Sequence, residues 1–75
     1  MKYVINTENK VAIGKGSFQF HSDLMDEIGG ELLSAAHCKL NEDGTVDVFG
    51  ESIGFGTKAR KEDKEILEQY FKKLV

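Results

Sequence analysis

The sequence has little cysteine and no proline. Cys38 is the single cysteine among 75 residues, so an internal disulfide is excluded. Cys38 and the adjacent His37 cannot supply the four ligands of a structural zinc site, and we interpret both as structural residues. We therefore expect no metal and no cofactor. Because proline-rich, low-complexity and linker-like stretches are also missing, the sequence predicts a single domain over residues 1–75.

Long apolar runs and an excess of positive charge are missing as well. No apolar run approaches the roughly 20 residues of a membrane span, and the first residues lead into a strand pattern rather than a signal peptide. The 10 basic residues are outnumbered by 13 acidic ones, and no basic block is present. These features predict a cytoplasmic protein that binds neither membrane nor nucleic acid.

Two short extended segments open the chain. Residues 2–6 and 11–16 are rich in strand-forming side chains and are separated by the polar residues 7–10, which predicts a hairpin or paired edge strands. Since successive strand residues point to opposite faces, Lys2, Val4 and Asn6 are expected on one side of the sheet.

A first helix is predicted over residues 17–29, because Phe20, Leu24 and Ile28 recur at helical spacing. Ser17 or Ser22 can cap its start. The glycines at 29 and 30 either end this helix or lie within it, at about 1 kcal/mol each. We favour the first alternative, with a strand hairpin following around the turn at residues 41–44.

A second helix is predicted over residues 61–74 and should pack on the sheet through an apolar stripe of Ile66, Leu67, Tyr70, Phe71 and Leu74. Its start carries positive charge, which the helix dipole disfavours, at Lys58, Arg60 and Lys61. Basic residues at the start of a helix can mark an anion-binding site, although a solvated charged surface is the more common explanation. These elements predict an α+β fold in which two helices pack on a small mixed or antiparallel sheet.

Residues 46–56 join a strand to a loop with glycines at positions 50, 54 and 56. Glycine permits positive φ and lets a ligand approach backbone N–H groups, so such a loop can cradle an anion, and the Ser52 hydroxyl adds a donor. By itself this pattern more often forms a turn or a bulge.

Three segments together resemble the protein phosphohistidine phosphatase family, which includes the Janus and Ocnus proteins. Residues 18–28, FQFHSDLMDEI, are similar to the family's aromatic-x-aromatic-His-small-Asp-aliphatic-x-Asp motif, and residues 48–56, VFGESIGFG, are similar to its glycine-containing loop. Residues 2–5, KYVI, resemble its first strand, and the order of the three segments agrees.

The resemblance implies a site at the matching positions. His21 matches the catalytic histidine, Lys2 the active-site lysine, and Ser52, Ile53 and Gly54 the phosphate-binding loop. Lys39 stands where the family often has an arginine. Two features depart from the family: Glu51 replaces an aromatic residue, and longer members continue into a further strand beyond Val75.

The implied function is hydrolysis of phosphohistidine or a related phosphoramidate without a metal, on a phosphorylated protein or a small molecule. His21 would be either the general base or a transiently phosphorylated nucleophile. Two alternatives stay open: a non-catalytic module that binds phosphate or phosphohistidine, and a structural subunit that pairs through an exposed sheet edge. The oligomeric state is not predicted. Phe18, Phe20 and Phe55 are interpreted as core residues.

Overall fold

The computed structural model describes residues 1–15 and 20–74. The described chain forms six strands and two helices, in the order β1 (Lys2–Asn6), β2 (Val11–Gly14), α1 (His21–Ile28), β3 (Leu32–Leu40), β4 (Val46–Phe49), β5 (Glu51–Ser52), β6 (Thr57–Lys58) and α2 (Lys61–Lys73). The predicted α+β class is confirmed.

The main sheet has four antiparallel strands in the order β2-β1-β3-β4. In the central pair of strands, β1 and β3, Tyr3 lies opposite Ala36 and Ile5 lies opposite Ser34. The next residue of β1, Asn6, lies opposite Leu32, so Leu33 is the extra residue of a β-bulge. Strands β5 and β6 form a separate two-stranded ribbon. The predicted hairpins, β1-β2 and β3-β4, are both present.

The two helices cover opposite faces of the sheet. Under α1, Leu24 packs with Val4, Ala12 and Ala35. Under α2, Leu67 packs with a second cluster that comprises Tyr3, Ile5, Ala36, Cys38 and Val46. Because both faces of β1 are covered, four of its five residues are buried. Tyr3 and Val4 therefore point to opposite sides of the sheet, as the alternation predicted.

The first helix begins later than predicted. Phe20 is extended, with φ −92° and ψ 158°, so α1 starts at His21, and the proposed start and cap at Ser17 lie outside the described residues. Ser22 is in the first turn rather than at the cap. The Asp23 carboxylate instead accepts a hydrogen bond from the Phe20 N–H at 3.1 Å. The N-cap residue is therefore Phe20, which makes no side-chain cap hydrogen bond, and no serine cap is seen within the described residues.

The choice at the paired glycines is confirmed. Gly29 and Gly30 have φ values of +65° and +71°, which end α1 and direct the chain into β3. Asn6 holds this corner, because its side-chain amide donates to the Gly29 carbonyl at 3.0 Å.

A buried carboxylate fixes α2 to the sheet. Asp63 is fully buried and accepts hydrogen bonds from the Tyr3 hydroxyl at 2.6 Å and the Ser34 hydroxyl at 2.9 Å. Arg60 forms an ion pair with it at 2.8 Å. Arg60 therefore balances an internal charge, and its unfavourable position at the helix start does not mark an external anion site. At the other end of α2, Leu74 is 65% exposed, so the prediction that it belongs to the apolar stripe packed on the sheet is wrong.

No helix within residues 1–15 and 20–74 has the length and apolar character that crossing a bilayer requires.

Candidate functional site

A cleft lies where the start of α1 faces the loop between β5 and β6. Its volume is about 250 Å³, and its walls are formed by Phe20, His21, Ser22, Ser52, Ile53, Gly54 and Phe55. Four of the six residues that the family resemblance implied, His21, Ser52, Ile53 and Gly54, thus line one cavity although about 30 positions separate the two segments. The volume lies just below the range of pockets that hold drug-sized ligands and suits a small group such as a phosphoryl group.

The ring of His21 is oriented by the backbone of β3. Its Nε2 atom lies 2.8 Å from the carbonyl oxygen of Ala36. A carbonyl oxygen only accepts hydrogen bonds, so Nε2 carries the proton and donates it. In the neutral ring the lone pair therefore resides on Nδ1, which is the atom able to take up a proton.

The loop that faces His21 is a tight turn closed by its own backbone. The N–H of Gly56 donates to the carbonyl oxygens of Ser52 at 2.8 Å and Ile53 at 3.2 Å. Among the described residues no backbone acceptor engages the N–H groups of Ile53 and Gly54. Two adjacent backbone donors are thus available to an anion in the cleft.

Strand β6 and the residue that follows it anchor this loop to the main sheet. The Thr57 hydroxyl donates to the carbonyl of Ala35 at 2.8 Å, and the N–H of Ala59 donates to the carbonyl of Gly50 at 3.1 Å. Ala35 directly precedes the residue that orients His21. The two walls of the cleft are thus hydrogen-bonded to adjacent residues of β3, the α1 wall to Ala36 and the loop wall to Ala35.

Glu51 points away from the serine that follows it. The two residues are neighbours in β5, so their side chains project to opposite sides. Ser52 is only 3% exposed, whereas Glu51 is exposed and lies opposite Lys58 in β6. The repulsion expected between this carboxylate and a bound phosphoryl group is reduced by that orientation.

The two lysines implied by the resemblance differ in position. The Lys2 ammonium lies 5.4 Å from the ring centroid of Phe20, which forms part of the cleft wall. A cation at this distance interacts favourably with the ring face. Lys39 is exposed in β3, opposite Asp47, and is not among the residues that line the cleft.

His37, which we interpreted from the sequence as a structural residue, contacts His21. The two ring centroids are 5.4 Å apart and the ring planes are nearly perpendicular, at 78°. On the sheet His37 lies between Lys2 and Phe49, its partners on the two neighbouring strands. Burial lowers the pKa of His37, and positive charge on the neighbouring His21, amino terminus and Lys2 would act in the same direction.

Two aromatic residues that we interpreted as core lie at the surface of the cleft. Phe20 is 65% exposed and Phe55 is 36% exposed. Phe18, assigned to the core with them, lies outside the described residues. Helical spacing misled the interpretation of Phe20, because that residue precedes the helix and is extended.

No three His, Cys, Asp or Glu side chains within residues 1–15 and 20–74 are close enough together to hold a metal ion. No family model, curated protein or solved structure matches this chain.

Proposed function

We propose that this protein hydrolyses the N–P bond of phosphohistidine or a related phosphoramidate, as members of the protein phosphohistidine phosphatase family do. The observation that supports the proposal is the shared cleft in which His21 faces the loop of Ser52, Ile53 and Gly54. A potential base and a set of anion-binding donors are the two components that such a reaction requires.

The donors would stabilise the charge on the phosphoryl oxygens. In the proposed complex these oxygens accept hydrogen bonds from the N–H groups of Ile53 and Gly54 and from the Ser52 hydroxyl. Lys2 would supply a positive charge from the other wall of the cleft. Phosphoryl transfer depends mainly on such positioning and charge stabilisation, so a preformed loop is well suited to it.

His21 would act as the general base. Its Nδ1 atom takes a proton from a water molecule, the water oxygen forms a bond to phosphorus, and the P–N bond breaks with its electron pair leaving on nitrogen. The leaving nitrogen then accepts a proton, which the His21 imidazolium can return. The products are inorganic phosphate and the free imidazole or amine. Histidine is the side chain that most often serves as a general base.

The proposed substrate is a phosphorylated protein or a small phosphoramidate, and the proposed setting is the cytoplasm. The exposed rings of Phe20 and Phe55 give the cleft an apolar rim that a planar leaving group can contact. Cys38 is a buried free thiol, which is compatible with a reducing compartment.

The test is the rate of phosphate release from phosphoramidate by wild type, His21→Ala and Ser52→Ala, with Asp26→Ala as a control on the exposed side of α1. We expect His21→Ala to abolish release and Ser52→Ala to lower kcat/KM by about 10²-fold, the usual effect of removing one charge-stabilising donor. Asp26→Ala should match wild type.

A titration with inorganic phosphate, followed by amide chemical shifts, separates catalysis from binding alone. If the amides of Ile53 and Gly54 show saturable shifts but neither wild type nor any variant releases phosphate, the protein is a non-catalytic phosphate-binding module and not a hydrolase. If neither phosphate release nor saturable shifts are observed, both the hydrolase and the phosphate-binding function are refuted.

A further inference from the structure

His37 is held on three sides. Its ring is stacked on Phe49, with centroids 6.0 Å apart and planes inclined by 20°. Gly50 lies against its edge so closely that a Cβ atom at that position would be 2.9 Å from the Cδ2 atom of His37. The third neighbour is the perpendicular ring of His21. The glycine at position 50 thus provides the space that the His37 ring occupies.

The contact with His21 supplies a constraint that the backbone hydrogen bond lacks. The bond from Nε2 to Ala36 holds one atom of the His21 ring, but without a second contact the ring can swing away from that carbonyl, lose the bond and populate both tautomers. A second ring packed perpendicular to it restricts the plane as well. Both constraints together determine where Nδ1 points.

We propose that His37 is a positioning residue for His21, which holds the His21 ring in the orientation that directs Nδ1 into the cleft. The proposal rests on the proposed function for its catalytic consequence, but the orientation of His21 can be measured without any substrate. His37 does not line the cleft itself, so its influence on a bound ligand passes through His21.

The charges around His37 favour its neutral form. His21 faces it from α1 and Lys2 from β1, the amino terminus lies one residue before β1, and all three oppose a further positive charge. A hydrogen bond to the backbone of Glu51 acts in the opposite direction but is the weakest of the contributions. A neutral ring beside His21 does not repel the proton that His21 accepts during the reaction, which a permanent cation at this position would do.

The test uses nitrogen NMR of the imidazole rings in wild type, His37→Ala, His37→Phe and the control Asp47→Ala. The chain has two histidines, so each His37 variant leaves His21 as the single observed ring. Asp47 is exposed on β4 and takes no part in the cleft. Circular dichroism verifies that each variant is folded, and Phe49→Leu, which loosens His37 without removing it, serves if His37→Ala does not fold.

In wild type and Asp47→Ala we expect His21 in a single tautomer protonated at Nε2. His37→Ala should give signals averaged between tautomers and lower kcat on phosphoramidate by about ten- to a hundredfold with little change in KM, as misorientation of a catalytic group does. His37→Phe, which retains a planar ring, should restore the single tautomer and most of kcat. Phe49→Leu should shift the tautomer signals in the same direction as His37→Ala, by less.

An unchanged His21 tautomer in folded His37→Ala, or an unchanged tautomer in Phe49→Leu if only that variant folds, would refute the positioning role. If wild type has no hydrolase activity, the proposed function fails, whereas the tautomer comparison still decides the role of His37.

Discussion

The buried carboxylate of Asp63 is expected to stabilise the fold more than any other single polar side chain that we describe. Asp63→Ala removes the acceptor for the hydroxyls of Tyr3 and Ser34 and for the guanidinium of Arg60. The two hydroxyls are left buried without a partner, and the guanidinium loses its counter-ion. The geometry is close throughout, because the hydroxyl and guanidinium contacts to the carboxylate span 2.6 to 2.9 Å.

The expected loss of stability is about 3–5 kcal/mol, the range for breaking a buried ion pair by removing one partner. A domain of 75 residues has a free energy of unfolding of about 4–11 kcal/mol, from 0.05–0.15 kcal/mol per residue. The substitution should therefore remove a large part of the total. Tyr3→Phe removes one hydrogen bond to a charged group and should cost about 1.5–3 kcal/mol.

Urea unfolding followed by circular dichroism at a fixed pH measures these losses. Glu62→Ala is the matched control, because Glu62 is the neighbouring acidic residue in the same first turn of α2 but is exposed. Its removal should change the free energy of unfolding by about 0.5 kcal/mol or less. A loss below 1 kcal/mol for Asp63→Ala would mean that the network contributes little and would refute this reasoning.

Three further predictions concern His37 and its neighbours. Gly50→Ala should destabilise the protein by more than Gly44→Ala, as measured by urea midpoints, because both glycines have positive φ but a Cβ only at position 50 would meet the His37 ring; equal losses would contradict the contact. Because the pKa of His37 is lowered in the folded state, the unfolded chain binds a proton first as pH falls below about 6.5, and stability should drop there. His37→Phe should make this loss of stability at low pH smaller, and the same pH dependence in wild type and variant would count against a lowered pKa of His37. Burial raises the pKa of the Cys38 thiol, so a thiol reagent should modify the native protein about a hundredfold more slowly than the protein in urea, and similar rates would disprove its burial.

The elements that depend on local chemistry could be predicted from the sequence. The paired glycines end α1 because both adopt positive φ, and the turn at residues 41–44 joins β3 to β4. Alternation along β1 correctly assigned Tyr3 and Val4 to opposite faces. The α+β class followed from these elements and the apolar stripe of α2.

Features that depend on long-range contacts could not be predicted. From the sequence, Asp63 is expected to be a solvent-exposed acidic residue in the first turn of a helix. Only the approach of Tyr3 and Ser34 from the sheet makes it a buried hydrogen-bond acceptor. His37 alternates with apolar strand residues, and its proximity to His21 arises from the packing of α1 across β3. Both cases reflect partners between 16 and 60 positions away in the chain.

The proposed hydrolysis of an N–P bond takes place in the cleft between His21 and the Ser52 loop. The most direct test is phosphorus NMR of a histidine-phosphorylated protein incubated with wild type or His21→Ala at neutral pH. Wild type is expected to convert the phosphohistidine signal to inorganic phosphate, whereas with His21→Ala the signal should decay only at the spontaneous rate. A phosphohistidine signal that decays at the spontaneous rate with wild type, or equally fast with both proteins, would contradict the claim.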